Sequence, residues 1–127
     1  MLLSALIAEN LETRLIEALP WLVLEHPDLD WVWLIRAAKL NDLQNRLGYV
    51  TNLARRLAEK LGKDDTASLL RAQESTLEKS RLAREDTLCH ASLTQSERRW
   101  LQSNRSDEAK HWNLLTDLSL EHLSHAA

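Results

Sequence analysis

A chain of 127 residues, 44% of them hydrophobic, is long enough to bury one core without help from disulfides or metal. Its formal charge of −3 excludes a protein drawn to nucleic acid by its overall field, so any such contact needs a local basic face. Two Gly, two Pro, no Phe and one Tyr, set against abundant Leu, Ala, Glu, Arg and Lys, argue against strands and for an all-α fold in a single domain, residues 1–127.

Cys89 is the one cysteine and cannot close an internal disulfide. The opening MLLSALIAEN is too short for a membrane span and lacks the charged lead-in of a signal peptide, so a cytoplasmic protein is expected. From Ser4 to about Leu19 the spacing of Ile7, Leu11, Leu15, Ala18 and Leu22 predicts an amphipathic helix with Glu9 and Glu12 near its start. Pro20 has no backbone donor, so the helix should kink there or restart with Pro20 in its first turn. The following run, Trp21 to Leu24, has no polar side and must be buried or covered by a partner.

The break His26-Pro27-Asp28-Leu29-Asp30 offers either Asp as the cap of a helix carrying Trp31, Leu34, Ile35 and Ala38. Asn41 or Asp42 then opens the strongest pattern in the chain: Leu43, Leu47, Val50, Ala54, Leu57 and Leu61, closed by Gly62. Asp64 or Asp65 should cap a second long helix, reaching about His90, with a thin stripe of Leu69, Leu70, Leu77, Leu82 and Leu88. These segments predict a helical bundle built on a long antiparallel hairpin, about 42–62 against 65–90, with flanking N-terminal helices and short C-terminal ones. Thr94 and Glu97 form a capping box for a helix containing Trp100, and Ser106 can cap another containing Trp112, Leu115 and Leu118.

Residues 31–52 also trace the outline of a helix-turn-helix reader of DNA. Ala37 sits where a small residue lets two helices touch, Leu40 closes the turn, and Asn41 takes the left-handed position. Gln44, Asn45 and Arg46 would enter the major groove, the amides pairing with adenine and the guanidinium with guanine. Against this, Arg36 and Asp42 occupy positions that are normally apolar, and a bundle corner over a Leu seam satisfies most of the same template.

On a helical wheel Asn45, Tyr49, Asn52, Arg56 and Lys60 gather opposite the Leu seam, with Arg46 at the edge. Cations interleaved with a ring and amides suit a DNA or RNA phosphate backbone or a partner helix, although a solvated face has a similar make-up. Gly48 lies on this face in mid-helix, where it makes sense if another backbone comes close.

Three further groupings carry possible chemistry. Arg84 to His90 and Arg105 to His111 match the Arg-to-His spacing of HEPN-type ribonucleases, in which the His would act as base beside an Arg that steadies phosphate; composition alone yields about one such pair. His122 and His125 lie one turn apart but lack a second ligand pair, so neither a metal site nor a cofactor is expected. Trp21, Trp31 and Trp33 cluster in sequence, and Trp31 and Trp33 point to different sides of one helix, which leaves an indole for a partner protein.

The reading is a non-enzymatic interaction module without a small-molecule substrate. It would assemble with itself or with a partner protein in a nucleic-acid-associated regulatory or defence complex, by architectural analogy with antitoxins and small subunits of CRISPR effector complexes. The alternatives are a helix-turn-helix transcriptional regulator or antitoxin and a HEPN-like ribonuclease.

Overall fold

The helix that carries the Leu seam lies at the centre of an all-α bundle. The computed structural model describes residues 2–7, 13–88 and 93–124. In chain order they form α1 (Leu2–Ile7), α2 (Thr13–Glu25), α3 (Trp31–Leu40), α4 (Gln44–Lys60), α5 (Asp64–Glu78), β1 (Asp86–Thr87), α6 (Gln95–Asn104), α7 (Asp107–His111), β2 (Leu114–Leu115) and α8 (Leu120–Ser124). Among the described residues no helix is long and apolar enough to cross a membrane.

α4 is surrounded by α2, α3, α5, α7 and α8, and almost every residue from Gln44 to Ala58 is buried. The seam accounts for only part of this: Leu43, Leu47, Val50, Ala54 and Leu57 are core, while Leu61 is half exposed where the helix ends. Gly62, at φ +74°, lets the chain reverse, and Lys63 N–H closes on Ala58 O at 2.8 Å. α5 then runs back along α4, with Asn52 bonded to Glu74 and Glu59 to Arg71. Asp64 and Asp65 lie inside its first turn, where they favour the helix dipole; neither is the cap, which falls on Lys63.

Three stretches depart from the sequence reading. The first is the face of α2. Ile16, Leu19, Val23 and Leu24 go into the core, whereas Leu15 and Ala18 face outwards and Leu22 is half-buried. Both sides of this helix are apolar, so periodicity alone could not choose between them. Leu11, Glu9 and Glu12 lie outside the described residues, as do the side chain of Ile7 and the link between α1 and α2. α2 also runs unbroken through Pro20.

The second departure is α5, which stops at Glu78 and does not reach His90. Beyond it the backbone finds partners outside a helical ladder. Gln44 Nε2 donates to Ser80 O at 3.1 Å, and Asn45 exchanges two bonds with Leu82, donating to its O at 2.9 Å and accepting from its N–H at 2.8 Å. Asn113 Nδ2 reaches the same Leu82 oxygen at 2.8 Å. The strap ends in β1, paired in parallel with β2 through Asp86↔Leu114 and Thr87↔Leu115. Cys89 and His90 lie outside the described residues.

The third departure is at the C-terminal side. The Thr94–Glu97 capping box is present and Ser106 caps α7, but α7 ends at His111, and Asn113 at φ +55° turns the chain into β2. Trp112, Leu115 and Leu118 are therefore buried from irregular or extended backbone.

Candidate interaction surface

α3 is set by two anchors. Asp30 caps its N-terminus, accepting from Trp33 N–H at 3.2 Å, and the indole N–H of Trp31 donates to Pro27 O at 3.1 Å. At the other end Asp42, at φ +56°, takes the left-handed position, and Leu43 N–H closes on Ala38 O at 2.8 Å. The left-handed residue is thus Asp42 and not Asn41, whose side chain instead bonds Ala37 O at 2.8 Å.

With the ends fixed, 100° per residue divides the helix in two. Trp31, Leu34, Ile35 and Ala38 enter the core. The opposite face presents Val32, Trp33 and Leu40, exposed to 74%, 56% and 80%, together with Arg36 and Lys39. Among the described residues neither cation has an ion-pair partner. Burying one large apolar side chain is worth about 1.5–3 kcal/mol. A face with three of them in water forgoes a stabilisation that a docked partner would restore.

A second apolar surface lies between α1 and α2. Ala5, Leu15, Ala18, Leu19, Trp21 and Leu22 line a groove of about 370 Å³, with Glu25 at its rim. Leu15 is 53% exposed there. The three tryptophans named from sequence therefore separate: Trp31 is core, Trp33 projects from α3, and Trp21 is half-buried in the groove wall.

The face assigned from sequence to nucleic acid is mostly internal. Gln44, Asn45, Tyr49 and Asn52 are buried. Gln44 and Asn45 hold the 80–82 strap, as described, and Asn52 Nδ2 donates to Glu74 at 3.0 Å. Arg46 forks onto the Asp86 carboxylate at 2.9 and 3.1 Å and gives a third bond to Leu6 O at 2.7 Å. Tyr49 hydroxyl donates to Leu118 O and lies 3.2 Å from Ser106 Oγ. Burial, which disfavours the phenolate, pushes its pKa up to about 12. Arg56 pairs with Glu108 at 2.9 Å, and Lys60 is exposed near the end of α4.

The amide and guanidinium chemistry that suits base edges is thus spent on the protein's own backbone and carboxylates. The neighbouring Arg55 bonds Glu74 at 2.6 Å and Glu59 at 2.7 Å. Burial opposes the charge on Arg55, but the two carboxylates outweigh it and its pKa is raised; Arg55 in turn holds the carboxyl of Glu59 below its usual range.

No known family model, curated protein or solved structure matches this chain.

Arg105 and His111 turn to different partners. Arg105 bonds Leu114 O at 3.2 Å, whereas His111 Nε2 lies 2.7 Å from Glu78 and its carbonyl accepts from Arg81. His90, which would complete the pair with Arg84, lies outside the described residues, as do His125 and the side chain of His122. Among the described residues no three His, Cys, Asp or Glu side chains converge as metal ligands would.

Sequence reasoning singled out Trp33 but not Val32, Arg36, Lys39 and Leu40 as a surface. The signal was available in WVWLIRAAKL, which has large apolar residues on both sides of the wheel. A solvent-facing helix has no use for the second set.

Proposed function

We propose that this protein is an interaction module that works by contact, docking a protein partner on the outer face of α3. The observation that carries the reading is the contiguous exposure of Val32, Trp33 and Leu40 beside Arg36 and Lys39, on a helix whose other side is already core. An exposed Trp and aliphatic side chains on one helix face, with cations among them, are the make-up of an interface hot spot. The proposal includes no catalytic step and does not extend to nucleic acid, because the side chains assigned to that contact from Gln44 through Arg56 serve hydrogen bonds and ion pairs within the chain.

The test compares the native mass of the tagged chain, purified from its own host, for wild type and for Val32→Ser/Trp33→Ser/Leu40→Ser. The expected result is an assembly of fixed stoichiometry with wild type that falls to the monomer in the variant, at an unchanged unfolding midpoint. Equal masses for the two proteins would refute the docking face.

A further inference from the structure

We infer that the occupant of the α3 face is an amphipathic helix of another protein, with carboxylates beside its apolar stripe, laid in the trough between α3 and α5. The inference rests on the docking-face reading above and adds the chemistry of the partner. α3 and α5 both pack on α4 and leave a hollow of about 550 Å³ between them. Its apolar lining comes from α3: the edges of Trp31 and Ile35, which are otherwise core, and the exposed Val32 and Leu40. α5 supplies Gln73 and Thr76, which carry no charge.

The walls decide the backbone of the occupant. Both are helices whose N–H and C=O groups are bonded along their own axes, so an extended segment would find no main-chain partner for the groups it turned to the lining. A helix brings those bonds with it and needs only an apolar face to offer.

Charge decides what borders that face. Arg36 and Lys39 line the hollow; among the described residues no carboxylate lines it, and neither cation has an ion-pair partner. The carboxylates nearest in sequence are engaged elsewhere: Asp30 caps α3, Asp42 pairs with Arg84, Glu74 with Arg55 and Glu78 with Arg81. Arg36 and Lys39 stand about one helical turn apart, the spacing of carboxylates at i and i+3 or i+4 on a helix lying alongside. Acidic side chains there meet both cations as the apolar faces close, and a basic partner is repelled.

Fluorescence anisotropy with the full chain and labelled synthetic peptides of about five helical turns tests this chemistry. One peptide has Leu at spacings of three and four with Glu on either side of that stripe; the second has Lys for every Glu, and the third keeps Glu but has Ser for every Leu. Wild type is expected to bind the Glu–Leu peptide at least tenfold more tightly than either of the others. Arg36→Glu/Lys39→Glu should reverse the preference between Glu and Lys, and Gln73→Glu/Thr76→Glu should weaken the Glu–Leu peptide at least tenfold from the α5 wall. Circular dichroism checks the fold, and the single substitutions Lys39→Glu and Thr76→Glu, both at exposed positions, replace a double variant that misfolds.

Wild type that binds none of the peptides, or that prefers Lys to Glu, overturns the acidic helix. So does equal binding of the Ser peptide, which a site for nucleic acid or any other polyanion would give, and so does tight binding that ignores the α5 substitutions. Each of these results leaves the docking face itself to the host-purification comparison, where Val32→Ser/Trp33→Ser/Leu40→Ser would still release a partner of other chemistry or a second copy.

Discussion

Trp112 occupies the space that any side chain at position 48 would need: a β-carbon on Gly48 would lie 2.3 Å from Cζ3 of the indole and 2.5 Å from Cη2. The close approach that Gly48 permits is therefore by a ring and not by a second backbone. Trp112 is 1% exposed and has nowhere to retreat. Gly48→Ala sets a helix-propensity gain of about 1 kcal/mol against an overpacking cost of about 1–3 kcal/mol. Urea unfolding is expected to show a net loss for Gly48→Ala in the wild-type background and a neutral or favourable change in a Trp112→Leu background. A stabilising Gly48→Ala in the wild type would rule the contact out.

The paired bonds between Asn45 and Leu82 give a second prediction. They substitute for a ladder where α5 has ended, so the strap through residues 79–87 depends on them. Asn45→Ala removes both and leaves a half-buried N–H at Leu82 unpaired, a loss of about 1–3 kcal/mol. Asn45→Asp retains the acceptor for that N–H but turns a carboxylate towards Leu82 O, so it should be the more damaging of the two at neutral pH. Hydrogen exchange should quicken at Leu82 before it does in α4, and equal protection in wild type and Asn45→Ala would count against this role.

These two contacts also show why some of the fold was legible in the sequence and some was not. The seam from Leu43 to Leu57, the Gly62 reversal and the Thr94 and Ser106 caps are local signals, written within one helix or one turn. The polar side of α4 is not local: Asn45, Tyr49 and Asn52 read as an outward contact face because a sequence lists side chains without their partners, which lie 22 to 69 residues away. The same holds for the end of α5, decided by Gln44 and Asn45 and not by a breaker at residue 79. For the candidate surface, Trp33 was legible from its two-residue offset from Trp31, whereas the choice of which side of α2 faces out needed the tertiary structure.

Tyr49 predicts how stability responds to alkali. Its folded pKa is raised from 10 to about 12 by burial, so the folded state keeps the neutral phenol when the unfolded chain has begun to ionise. Below pH 10 both states are neutral and the full stability is present; it falls as pH rises from about 10 through about 12. Two units correspond to about 3 kcal/mol over that window. Because Tyr49 is the one tyrosine in the chain, tyrosinate absorbance follows it without ambiguity. Tyr49→Phe should be less stable at neutral pH, having lost the bonds to Leu118 and Ser106, but should lack this part of the alkaline decline. A tyrosinate transition near pH 10 in the folded protein would show that the ring is not buried.

The orientation of α3 is tested by treating its two tryptophans alike. Trp31 is 7% exposed, with its indole N–H held by Pro27 O, and Trp33 is 56% exposed on the opposite side. Trp31→Ala therefore opens a cavity and frees a carbonyl, and should cost about 3–5 kcal/mol. Trp33→Ala removes a side chain from water, leaves the capped backbone N–H in place, and should change stability by no more than about 0.5 kcal/mol. Chemical unfolding of the two variants at a concentration where the wild type is monomeric gives the comparison. On assembly with the partner the ranking should change, with folded Trp33→Ala losing the contact that the wild type holds. Equal destabilisation by the two substitutions in the monomer would place Trp33 in the core and remove the apolar face on which the docking proposal stands.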